Sequence, residues 1–144
     1  MRLHASCAAR PGPDGYDAIL ILGVPGAGKS DFLLRLLHNG FSLVADDQVL
    51  IDENLASAPA ALAGLLEVRG LGIFRLPFID AAPLRLVIRL GVQTIRLPEP
   101  EFCGDTGLPL VTIDPASPSA PACAILALDA ACGRVSQLVG AFAP

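Results

Sequence analysis

Gly23-Val24-Pro25-Gly26-Ala27-Gly28-Lys29-Ser30 reads G-x-x-x-x-G-K-S, the full pattern of a phosphate-binding P-loop. The motif demands a strand before it and a helix after it. Both are present: the aliphatic run Ala18–Leu22 leads in, and Phe32, Leu33, Leu34, Leu36 and Leu37 form an apolar stripe leading out. The glycines let the backbone wrap an anion, and the amides at the helix start point towards it. Lys29 then reaches the terminal phosphates of a nucleotide, and the Ser30 hydroxyl is a Mg²⁺ ligand. The eight residues from Gly23 to Ser30 are the expected nucleotide site.

The remaining chain has to supply a core and an acceptor site. With 144 residues there is room for one domain, and no stretch is long enough to serve as a linker between two. Hydrophobic residues make up 53% but aromatics only 5%, so the core must be aliphatic. The charged fraction of 17% is low, which leaves surface free for subunit contact. A net charge of −4 argues against a general nucleic-acid or membrane-surface role. No apolar run approaches the roughly 20 residues of a membrane span. Arg2 is followed by no apolar leader segment, so the expected location is the cytoplasm. Cys7, Cys103, Cys123 and Cys132 form no metal-binding or disulfide pattern.

Apolar periodicity and turn residues divide the chain into more strands than helices. Pro11–Gly15 is a turn that closes a hairpin between a strand near Leu3–Ala9 and a strand over Asp17–Leu22. The helix after the P-loop runs from Lys29 to about His38 and ends at Asn39-Gly40. Strands are expected at Phe41–Ala45, Gln48–Ile51, Leu65–Arg69, Leu84–Leu90 (half-exposed), Leu110–Ile113 and Cys123–Leu128. Residues 52–64 read as a loop. The fold class is therefore α/β, a mixed sheet with few helices. That differs from the regular strand–helix alternation of nucleoside kinases.

Phosphoryl transfer needs metal ligands and, for an alcohol acceptor, a base. Asp46-Asp47 supplies candidates at the end of an apolar strand. Neighbouring strand residues point to opposite faces, so one of the two acids is expected in the site. Glu67 and Arg69 lie two apart in Glu67-Val68-Arg69-Gly70-Leu71-Gly72, on one face of a strand. The carboxylate there suits a metal and the guanidinium suits phosphate, although a surface salt bridge explains the pair equally well. His4 has no role from its sequence position alone.

Four segments in order resemble one family: Leu3-His4-Ala5, Gly28-Lys29-Ser30-Asp31, Leu43-Val44-Ala45-Asp46-Asp47, and Glu67 to Ile73. They are similar to the catalytic domain of HPr kinase/phosphorylase, in its short form without an N-terminal domain. The resemblance covers roughly residues 3 to 90. It implies a fold like that of phosphoenolpyruvate carboxykinase. It implies phosphorylation of a serine on the phosphocarrier protein HPr with ATP or pyrophosphate, and reverse phosphorolysis. It implies ATP and Mg²⁺ as cofactors and a homo-oligomer, hexameric in the family. By resemblance Asp47 is the general base, His4 lies near the phosphates, and Ser30 and Glu67 are metal ligands. Asp46 is a further metal-side acid, Leu66–Arg75 serves both reactions, and Arg96 is the nearest match to a catalytic arginine.

Two departures stand out. Pro11–Gly15 lengthens the hairpin behind His4. The region Asp114–Ala120 carries no arginine where longer members have a basic stretch, which weighs against phosphorolysis. The alternatives are a nucleotide-binding regulatory module with weak or no catalysis, and a small-molecule kinase. The latter calls for a late cluster of lid arginines that is not present.

Overall fold

The computed structural model describes all of residues 1–144. Ten strands and two α-helices follow one another: β1 (Arg2–His4), β2 (Ser6–Gly12), β3 (Gly15–Leu22), α1 (Lys29–Leu37), β4 (Ser42–Ala45), β5 (Gln48–Asp52), β6 (Leu55–Ser57), β7 (Leu65–Val68), β8 (Gly72–Arg75), β9 (Ala82–Leu90), β10 (Leu110–Ile113) and α2 (Ala120–Ala131). Eight strands form one mixed sheet in the order β1-β5-β6-β9-β3-β2-β4, with β10 also on β9. Strand β9 runs parallel to β3 and β10, and the other pairs are antiparallel. β7 and β8 form a separate hairpin. No helix is long and apolar enough to cross a membrane.

The central strands explain the two-sided core. Ala18, Ile19, Leu20 and Ile21 on β3 are all fully buried, as a continuous apolar run covered on both faces should be. Ile19 and Ile21 meet Phe32, Leu33 and Leu36 of α1 and Leu128 of α2. Ala18 and Leu20 face a second core with Ala5, Cys7, Val49, Ile51 and Ala56. Strands β1 and β2 are nearly continuous, as are β4 and β5, and the two ribbons stay paired where both bend, with the Ala5 N–H donating to the Asp47 carbonyl. The two ends of the strand order are thus joined along the chain, and the sheet curls around the second core. The small residues lining that core allow the close approach.

Several sequence expectations are corrected. Cys123–Leu128 is not a strand but the middle of α2. Pro121 sits in the helix's first turn, where a missing N–H costs nothing, and the segment is rich in alanine. Apart from Asp129 it is apolar or small all round, so no 3.6-residue period marks it. Residues 52–64 contain β6 and a short 3₁₀ turn at Ala60–Leu62 rather than loop alone. Strand β9 is central, not half-exposed: Leu86, Val87 and Ile88 are fully buried. Its alternation is interrupted where Ala18 pairs with Leu84 but Ile19 pairs with Leu86, skipping Arg85. The hairpin turn is Pro13-Asp14 alone, because Pro11 and Gly12 pair with Tyr16 and Gly15. The added length therefore lies at the far end of the hairpin from His4.

Charged side chains fasten α2 and the tail to that hairpin. Asp17, almost fully buried, accepts hydrogen bonds from Arg85 at 3.1 Å and from Arg134, while Arg10 pairs with Asp129 of α2. Replacing Asp17 with alanine leaves two guanidinium groups without their shared acceptor. Asp17→Ala is expected to lower the thermal midpoint by about 5 °C, and Asp14→Ala at the hairpin tip by less than about 1 °C, measured by circular dichroism.

The same network bears on thiol chemistry. Burial, with Asp17 adding to it, pushes the Cys132 thiol above its usual range, and Cys7 is raised further by complete burial. Only the thiolate reacts with alkylating agents. At pH 8 iodoacetamide is expected to label exposed Cys123 first, Cys132 more slowly, and Cys7 and Cys103 only after denaturation, read by peptide mass spectrometry.

Candidate active site

The cleft begins where β3 ends. Gly26 and Gly28 hold φ of 82° and 97°, conformations open to glycine and costly for other residues. Gly28 caps α1 without a side-chain hydrogen bond, so the first-turn amides keep their donors for an anion. The Lys29 ammonium donates to the carbonyls of its own loop, Gly23 at 2.9 Å and Val24 at 3.4 Å. A phosphate offers a stronger, charged acceptor than those carbonyls.

Below the loop lies Asp46, only 7% exposed. Its Oδ1 accepts from the hydroxyls of Ser6 at 2.8 Å and Ser30 at 2.9 Å, and Ser30 also reaches Oδ2 at 3.0 Å. No Lys, Arg or His is within ion-pair distance of it. Asp47 takes φ of 69°, a left-handed conformation rare for a residue with a side chain. That turn breaks strand alternation, so Asp46 and Asp47 both line the cleft, where one was expected. The Asp47 carboxylate is two-thirds exposed and lies 3.7 Å from His4 Nδ1.

The β7–β8 hairpin forms the opposite wall. Strand β7 ends at Val68, so Arg69 opens a tight turn rather than extending the strand, and Gly70 takes φ of 86°. Glu67 and Arg69 still line the same cleft, of about 860 Å³, as His4, Ser6, Gly23, Pro25, Gly26, Gly28, Lys29, Ser30, Asp46 and Asp47. Val24 and Ala27 belong to the loop without lining it; Val24 points to solvent.

Arg96 is not among the cleft-lining residues. After β9 the chain turns to the flank opposite β3, where Leu110 N–H donates to Glu101 carbonyl and Phe102 pairs with Pro109. The segment 91–101 is held beside β10, and most of it lines a separate depression there. Asp114–Ala120 is also outside the cleft. Sequence reasoning missed Ser6. The available signal was a lone hydroxyl in an apolar strand, two residues from His4 and so on the same face.

Mg²⁺ fits the donor set. Ser30 Oγ, Asp46 and Glu67 are oxygen donors facing a single cleft, and Asp46 is a buried carboxylate with hydroxyl partners but no cation. The side chains alone form no cluster of three acidic, His or Cys ligands.

Residues 16–79 match the model of the HPr Serine kinase C-terminal domain, a span that holds the P-loop, Asp46, Asp47 and the Glu67–Gly72 turn. Over that span the chain is similar to that family. An HPr kinase/phosphorylase from Xylella fastidiosa is 38% identical over 119 residues, covering 66% of this chain and 37% of the relative. One from Clostridium tetani is 49% identical over 63 residues, covering 41% and 21%. The chain thus spans well under half the length of these curated relatives. The solved Hpr(Ser) kinase/phosphatase from Coxiella burnetii superposes with a TM-score of 0.68, covering 88% of each chain at 21% identity. At that identity the likeness speaks for the fold, a mixed α/β sheet with few helices.

Lys29 holds its loop only through two carbonyls, so its loss should spare the fold. Lys29→Ala is expected to weaken binding of a non-hydrolysable Mg²⁺–ATP analogue at least about tenfold by calorimetry, with the thermal midpoint within about 2 °C of the parent.

Proposed function

We propose that the chain is the catalytic module of an ATP- and Mg²⁺-dependent protein-serine kinase whose acceptor is the phosphocarrier protein HPr, acting in the cytoplasm. The observation that carries this is the convergence of three separate segments on one cleft: the P-loop, the Asp46-Asp47 break and the Glu67–Gly72 turn. The family relationship supports HPr as acceptor. So does the cleft rim, where Leu71 and Ile73 are more than 70% exposed and suit a macromolecular surface.

In this reading the amides at the start of α1 cradle the nucleotide phosphates, and Lys29 moves from the Gly23 carbonyl to the β- and γ-phosphates. Ser30, Asp46 and Glu67 would hold Mg²⁺, which neutralises charge on the phosphates. Asp47 is exposed beside the loop and accepts the proton of the acceptor serine as its oxygen attacks the γ-phosphorus and the bond to the β–γ bridging oxygen breaks. His4, 3.7 Å away, orients the Asp47 carboxylate. Arg69 offers a cation to phosphate oxygens from the opposite wall. Phosphorolysis would instead bring inorganic phosphate as the nucleophile at the phosphoserine, forming pyrophosphate as the bond to the serine oxygen breaks, with Asp47 returning the proton to that oxygen. No arginine from Asp114–Ala120 joins the cleft to offset repulsion between phosphates, so forward transfer is the favoured direction. We also propose self-association, given the apolar exposure at Leu138, Val139 and Leu126.

A second reading, a nucleotide-binding regulatory module with little catalysis, is favoured by the position of Arg96 outside the cleft. The two part on one experiment. Incubation with purified HPr and Mg²⁺–ATP is expected to give phosphoserine by mass spectrometry. Asp47→Asn should lower the rate about 100-fold or more while nucleotide affinity changes less than about threefold. No phosphoserine with any divalent ion would favour the module.

A further inference from the structure

Ser6 is fully buried, lines the cleft floor, and touches no residue that the P-loop pattern would single out except through Asp46. An ionised carboxylate is acceptor-only, so the hydroxyls of Ser6 and Ser30 must both donate to Asp46. Each has one proton to give. Ser30 spends its proton on Asp46 and therefore presents only lone pairs to the cleft, the arrangement a metal cation requires.

We propose that Ser6 is a positioning residue for metal binding: its hydroxyl fixes the rotation of the Asp46 carboxylate and so the direction of the Ser30 lone pairs. The inference rests on the phosphotransfer reading of the cleft. Three elements meet at this carboxylate. Ser6 belongs to β2 and pairs in register with Ile21 of β3, the strand that runs into the loop. Ser30 is in the first turn of α1, and Asp46 follows β4. With Ser6 removed, Asp46 Oδ1 keeps only the Ser30 donor, and the carboxylate and hydroxyl are free to turn together. The Ser6–Asp46 contact also lies next to the rung that joins Ala5 to Asp47, so the metal-side acid and the base share one pair of strands.

The test measures metal binding separately from turnover. Mn²⁺ is titrated calorimetrically into the full chain holding a non-hydrolysable ATP analogue, and HPr phosphorylation is followed against Mg²⁺ concentration. Ser6→Ala is expected to weaken Mn²⁺ binding about tenfold and raise the half-maximal Mg²⁺ concentration similarly, with the KM for HPr unchanged. Ser6→Thr, which restores the hydroxyl, should recover most of both. Should Ser6→Ala fail to fold, Ser6→Cys keeps a donor, a weaker one on a larger atom, and should show an intermediate loss. Unchanged Mn²⁺ affinity in Ser6→Ala or Ser6→Cys would overturn the proposal, as would equal losses in Ser6→Thr and Ser6→Ala. If HPr is never phosphorylated, the kinase reading fails, while the Mn²⁺ titration still decides the role of Ser6.

Discussion

Asp46 sits beneath the phosphate loop with two hydroxyls for partners and no cation within reach. A carboxylate this deep is costly unless its charge is matched, and hydroxyl dipoles offset only part of that cost. The site is therefore built one positive charge short, at the place where a nucleotide would bring its divalent ion. The loop's free amides and the Lys29 ammonium complete the complement on the phosphate side. The scaffold keeps this imbalance in place by anchoring each partner on a different element: β2, α1 and the end of β4.

The curled sheet explains why so short a chain can assemble the cleft. β1–β2 and β4–β5 run as a paired double ribbon, and the bend in both strands falls at Ala5 and Asp46-Asp47. The left-handed turn at Asp47 releases the second acid from alternation and sends it to the same side as the first. The strained residue thus lies in the cleft wall, the kind of place where unusual backbone conformations gather. Away from the cleft, the charged network of Asp17, Arg134, Arg10 and Asp129 locks α2 and the tail against the hairpin.

Much of this was legible in the residues. The P-loop fixed β3, the loop and α1 because glycine spacing, lysine, hydroxyl and flanking periodicity all agreed. Glu67 and Arg69 are candidates from their spacing and His4 only through the family resemblance, and the structure brings all three to the cleft beside the loop. What stayed hidden depended on tertiary context. Apart from Asp129, α2 carries apolar or small residues on every side, so its sequence holds no period to distinguish a helix from a buried strand. Strand β9 alternates in sequence yet is covered on both faces: Leu86 and Ile88 pack into one core and Leu84 and Val87 into the other, across a register skip at Arg85. Arg96 is the nearest match to a catalytic arginine in the family resemblance, but the path of the chain beyond β9 is decided by pairing beside β10, which no local pattern encodes. Ser6 was overlooked because a single small polar residue in a strand is ordinary until its partner is known.

The most direct test of the account is a crystal structure of the chain with a non-hydrolysable ATP analogue and Mg²⁺. The account requires the metal on Ser30 Oγ, the Lys29 ammonium on the β- and γ-phosphates instead of the Gly23 carbonyl, and Asp47 facing the γ-phosphate. A nucleotide bound elsewhere, or Lys29 still hydrogen-bonded to Gly23 with the phosphates in place, would contradict it.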